Sequence, residues 1–129
     1  MPDRSSPSPW TILVVDDDDD MRLYVRRCLH RLGAVRVVEA GDGREALRIA
    51  QTLIPDLVLA DWAMPRLDGI ALCRALRADP ATSRIPLLLM TGLRGPPACA
   101  DGVLEKPFNA SVLCDHAQRL LPSSPPALS

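Results

Sequence analysis

The chain has 129 residues, enough for one domain with a substantial core. Its hydrophobic content of 47% and charged content of 24% are those of an ordinary globular protein. A net charge of −1 leaves no electrostatic footprint for nucleic acid or an anionic membrane surface, so neither is expected as a partner.

Residues 1–9 are rich in Pro and Ser and read as a disordered tail, with no basic flank and apolar stretch of an export signal. A cytoplasmic location is therefore expected. The four cysteines, Cys28, Cys73, Cys99 and Cys114, then read as reduced core or surface residues. No two are spaced as a CxxC motif. Thr11–Val15 is a short apolar run ending in acids, the pattern of a buried strand and far too short to cross a bilayer. Met21, Val25, Cys28, Leu29 and Leu32 then share one helical face, stopped by Gly33. Val35–Glu39 is a β-branched second strand. Asp42 and Glu45 form a capping signal for a helix carrying Ala46, Leu47, Ile49, Ala50 and Leu53. Leu57–Ala60 is a third apolar strand, ending in Asp61. Asp68 caps a helix with Ile70, Leu72, Cys73 and Leu76. Leu87–Met90 is a fourth strand, ending in Thr91, and Val103–Leu104 a brief fifth. Asn109 caps a last helix running through Val112, Leu113, Ala117, Leu120 and Leu121, and residues 122–129 read as a second Pro/Ser-rich disordered tail. The folded domain is expected over 10–121.

Strands that are apolar throughout and alternate with helices belong to a parallel sheet covered on both faces. The expected architecture is α/β, an open, doubly wound, five-stranded parallel sheet. The connection Gly92–Gly102 is only eleven residues long and holds three glycines and two prolines. A parallel crossover usually takes a dozen or more. The fourth helix is therefore expected to be absent or one turn at most.

Ligands of such sheets bind outside the carboxyl ends of the strands. That rule selects Asp16 and Asp17, Asp61, Thr91, and Lys106, the sole lysine beside fourteen arginines. Three converging carboxylates repel one another, and a hard cation such as Mg²⁺ is the natural partner. A carboxylate beside such a cation can act as a nucleophile toward phosphorus, with an ammonium and a hydroxyl covering the phosphoryl oxygens.

The stretches ILVVDDDDDMR, VLADWAMPRLDG, LLLMTG and LEKPF, in that order, closely resemble the receiver domain of two-component response regulators. The resemblance covers residues 11–121. It implies a flavodoxin-like strand order 2-1-3-4-5. It makes Asp61 the phosphoacceptor, Asp17 a direct Mg²⁺ ligand, Asp16 a water-mediated one, and the backbone carbonyl of Ala63 a further ligand. Thr91 and Lys106 would contact the phosphoryl oxygens and serve as switch residues, and the Lys106–Pro107 bond would be cis. The donor would be a sensor histidine kinase or a histidine phosphotransfer protein, and an unidentified downstream protein would read the result, no output domain being expected on the chain. Such a domain catalyses only its own aspartyl phosphorylation and dephosphorylation. Val103 stands where receivers commonly carry Tyr or Phe, so the usual aromatic swing cannot occur. Ala63 and Leu93 offer no polar group to orient a hydrolytic water, which predicts a long-lived acyl phosphate.

Three other readings compete. A calcium loop starting at Asp16 fails because its sixth position is Met21 and its twelfth Arg27. A haloacid-dehalogenase-like phosphatase would use Asp16 as nucleophile, but needs Thr or Val where the chain has Asp20. A phosphorylation-independent interaction module with a receiver fold is the third. Asp18, Asp19 and Asp20 suit the positive end of a helix dipole better than a metal site.

Overall fold

The computed structural model describes residues 10–64, 67–91 and 99–122. Five strands alternate with four helices: β1 Trp10–Val15, α1 Asp19–Leu29, β2 Val35–Ala40, α2 Gly43–Leu53, β3 Leu57–Asp61, α3 Gly69–Ala78, β4 Leu87–Thr91, β5 Gly102–Glu105 and α4 Ala110–Leu120. All neighbouring strands pair in parallel, in the order β2-β1-β3-β4-β5. The flavodoxin-like, doubly wound sheet is thus the fold of this chain. Edges differ from expectation by a residue or so: β1 starts at Trp10, β2 reaches Ala40 and β5 spans four residues. A short 3₁₀ turn, His30–Leu32, separates α1 from Gly33.

Side chains alternate across the sheet and build two cores. Leu13, Val15, Val58, Ala60, Leu87 and Leu89 face α2 and α3, meeting Ala46, Ala50, Leu72, Cys73 and Leu76. Ile12, Val14, Leu57, Leu59, Leu88 and Met90 face α1 and α4, meeting Val25, Cys28, Leu29, Leu113 and Ala117. Each fully buried Leu or Ile contributes about 1.5–3 kcal/mol. The small Ala46 and Ala50 let α2 lie close to the sheet.

Each helix starts where a short polar side chain takes up an orphan amide. Asp18 accepts from Asp20 N, Asp42 from Glu45 N at 2.9 Å, Asp68 from Ala71 N at 2.8 Å and Asn109 from Val112 N at 2.9 Å. Helix α2 ends on Ile54 in the left-handed region, φ 47°, a conformation that costs a β-branched residue about 1–2 kcal/mol.

The two expected disordered tails fall largely on residues 1–9 and 123–129, outside the described residues. So does most of the fourth crossover, residues 92–98, where the missing or single-turn helix is expected. Its described end, Cys99–Asp101, is a turn and bend rather than helix. Among the described residues no helix is long and apolar enough to cross a membrane.

Candidate phosphoacceptor and metal site

The carboxyl ends of β1, β3, β4 and β5 bring the selected side chains together. Asp16 and Asp17 directly follow β1, and Asp61 is the last residue of β3. One carboxylate oxygen from each lies within 4.8 Å of the others. Thr91 ends β4 and is 3% exposed. Lys106 follows β5, its amide held by the Thr91 carbonyl at 2.8 Å. Its ammonium donates to Asp61 Oδ1 at 3.2 Å. The Lys106–Pro107 peptide is cis. Ala63 lies exposed on the bend that leaves β3. Leu93 falls outside the described residues.

Asp16 carries the clearest electrostatic tension. It is 1% exposed. Its Oδ1 accepts the Asp18 amide at 2.9 Å, while Oδ2 is buried without a hydrogen-bond partner among the described residues. Burial pushes its pKa up to about 6, and the charges of Asp61 and Asp17 add to that rise. The Asp18 amide and Lys106 offset only part of it. An orphaned oxygen, three convergent carboxylates and an all-oxygen donor set fit a hard divalent cation such as Mg²⁺.

Two glycines let the loops close over this end. A Cβ on Gly69 would meet the Asp61 carbonyl oxygen at 2.5 Å and Leu89 Cδ2 at 2.8 Å. The α3 N-terminus can therefore sit against β3, with Gly69 N bonded to Trp62 O at 2.9 Å. A Cβ on Gly43 would strike the Leu67 carbonyl oxygen at 2.1 Å. That approach packs the start of α2 on the loop before α3.

The remaining acids of the run are occupied elsewhere. Asp18 caps α1, and Asp19 pairs with Arg22. Arg22 closes the ILVVDDDDDMR stretch, one turn into α1. Its Nη1 donates to the Asp16 carbonyl at 2.6 Å and its Nε to Glu39 Oε1 at 3.1 Å. Burial opposes its charge, but the bonds to Glu39 and Asp19 more than offset that and raise its pKa. Arg22 therefore anchors the backbone of the first acidic residue to β2. The available sequence signal was its place one turn into α1, six residues after Asp16, where a helical side chain leans back toward the N-terminus. His116 Nδ1 lies 2.9 Å from the Val112 carbonyl, on the exposed face of α4.

Known proteins share this fold. The chain is 34% identical over 116 residues to the chemotaxis protein CheY of Pseudomonas aeruginosa, covering 84% of this chain and 94% of that one. It spans only 8% of a Formosa agariphila histidine kinase and 53% of a Mycolicibacterium vanbaalenii response regulator that it also matches. Among solved structures, Vibrio cholerae CheY4 superimposes with a TM-score of 0.81 at 34% identity, over 88% of this chain and 99% of the other. The receiver domain of a Pseudomonas aeruginosa sensor histidine kinase, solved with a magnesium ion coordinated in its active-site cleft, gives 0.79 at 31% identity, over 87% and 97%. The family model of the response regulator receiver domain matches residues 12–118. With the sheet order, the acidic cluster and the lysine already in place, the chain belongs to the response regulator receiver domain family of two-component signalling.

Proposed function

We propose that the chain takes a phosphoryl group onto Asp61 from a sensor histidine kinase or a histidine phosphotransfer protein, and signals through protein contacts. One observation carries the reading: Asp61 is the carboxylate shared by the acidic cluster and by the single lysine. A bound Mg²⁺ would neutralise the carboxylates and a phosphoryl oxygen, held by Asp17 and Asp61 directly, by the Ala63 carbonyl, and by Asp16 through water. The chain's own groups do the rest. An Asp61 oxygen attacks phosphorus, its O–P bond forming as the donor's N–P bond breaks. Lys106 neutralises a second oxygen, and the Thr91 hydroxyl donates to a third. Positioning and charge neutralisation constitute the catalysis.

The phosphatase reading has the burial of Asp16 against it, since a nucleophile must meet its substrate. The test is intact mass after incubation with Mg²⁺ and a small acyl-phosphate donor. One phosphoryl group on the parent and none on Asp61→Asn is the expected result. Label on Asp16 would move the assignment to the phosphatase class. Metal binding with no phosphoryl uptake would leave an interaction module.

A further inference from the structure

Asp16 is held at its amide, its carboxylate and its carbonyl. The amide donates to the Ala40 carbonyl at 3.1 Å, at the end of β2. Oδ1 accepts the Asp18 amide at 2.9 Å. The carbonyl accepts Arg22 Nη1 at 2.6 Å. That carbonyl belongs to the peptide joining Asp16 to Asp17. Rotating this peptide changes ψ of Asp16 and φ of Asp17 together, and so swings the Asp17 side chain. Asp17 is exposed, and an exposed side chain is placed by its backbone rather than by packing.

The guanidinium is itself fixed. Its Nε donates to Glu39 Oε1 at 3.1 Å, and its Nη2 pairs with Asp19. Glu39 lies on β2, opposite Val14 of β1, and its other oxygen accepts Arg26 Nη2 at 2.6 Å. Arg26 thus shares Glu39 with Arg22, but the Asp16 carbonyl is bonded by Arg22. A planar fork can meet the carbonyl, Glu39 and Asp19 at once; an ammonium on a flexible stem is not held in one direction.

A guanidinium beside converging carboxylates has two opposing effects on a cation. Its charge repels the cation, which lowers affinity. Its bond fixes the peptide that carries a ligand, which raises affinity. We propose that Arg22 is a positioning residue for the divalent cation: its bond to the Asp16 carbonyl keeps the Asp16 and Asp17 carboxylates facing Asp61, and this gain exceeds the repulsion from its charge. The role rests on the Mg²⁺ site of the proposed function and requires no phosphoryl transfer.

The test is isothermal titration calorimetry of the full chain with magnesium chloride, without a phosphoryl donor, in the parent and in Arg22→Met, Arg22→Lys and Arg26→Met. Urea unfolding of each variant reports stability separately. Arg22→Met is expected to bind Mg²⁺ about tenfold more weakly than the parent, the lower end of the range for losing a group that orients a metal ligand. Arg22→Lys keeps the charge but not the fork, and should bind about threefold more weakly. It carries the test if Arg22→Met does not fold. Arg26→Met removes a charge from the same Glu39 and should match the parent or bind slightly more tightly. Parent-like affinity in Arg22→Lys, or Arg22→Met binding as tightly as Arg26→Met, would overturn the proposal and leave the Mg²⁺ site standing. Lower stability with unchanged affinity would make Arg22 a structural arginine and overturn it equally. A parent that binds no Mg²⁺ would overturn the metal-site reading as well.

Discussion

The two ends of the sheet use the same side chain in opposite ways. At the amino end, Asp56 precedes β3 and accepts the Thr11 amide at 2.8 Å. Asp101 precedes β5 and accepts the Leu87 amide at 2.8 Å together with Arg77. Arg77 also donates to the Ser83, Ile85 and Cys99 carbonyls, so it joins α3, the entry to β4 and the entry to β5. Each carboxylate there finishes the hydrogen bonding of a neighbouring strand. At the carboxyl end, Asp16, Asp17 and Asp61 face one another, and an oxygen of Asp16 is buried without a partner among the described residues. Satisfied acids make a closed frame; crowded, under-satisfied acids make a site that gains by binding a cation. A charge pattern becomes functional when the fold leaves it unbalanced.

Breaking the lysine contact should have the largest effect. Lys106→Ala is expected to slow phosphoryl uptake by Asp61 about 10²-fold, the scale for losing one group that stabilises transition-state charge. Uptake kinetics by intact mass check it, and an unchanged rate would separate Lys106 from the chemistry. At the other end, Arg77→Ala should cost about 2–3 kcal/mol by denaturant unfolding, because several carbonyls and Asp101 lose a donor at once. No such loss would mean that water replaces the guanidinium without penalty.

The unbalanced end should respond to pH with the opposite sign to an ordinary ion-paired acid. The folded pKa of Asp16, about 6, lies above its usual value of 3.8. The folded state therefore holds the proton more tightly, and stability falls as pH rises from about 4 to about 6. Asp16→Asn should remove that slope and raise metal-free stability at pH 7 by about 2 kcal/mol, while weakening Mg²⁺ binding. Urea titrations across this window, with and without Mg²⁺, test both halves of the statement. Asp56→Ala is the smaller counterpart, a loss of about 1 kcal/mol for one carboxylate-to-amide bond, with no change in Mg²⁺ affinity. A Mg²⁺ effect from Asp56→Ala would erase the contrast between the two ends.

Much of this was legible along the chain. Continuous apolar runs such as Leu57–Ala60 signal strands buried on both faces, and Asp42, Asp68 and Asn109 announce the helices they cap. Periodicity is a local property, so local residues report it. The acidic pair, Asp61, Thr91 and Lys106 were also reachable, because strand ends of a parallel sheet converge by topology. Arg22 and Arg77 were not, since their partners Glu39, Cys99 and Asp101 are distant in sequence and an arginine on a helix looks like any solvated charge.

The sequence by itself determined the order of elements, their caps, and which residues stand at strand ends, since these follow from side-chain period and backbone preference within a few residues. Only the tertiary structure decided which acids are satisfied and which are left facing one another. Hydrogen-bond satisfaction and desolvation depend on neighbours brought from other elements, and Asp16, Asp56 and Asp101 are the same residue until those neighbours arrive.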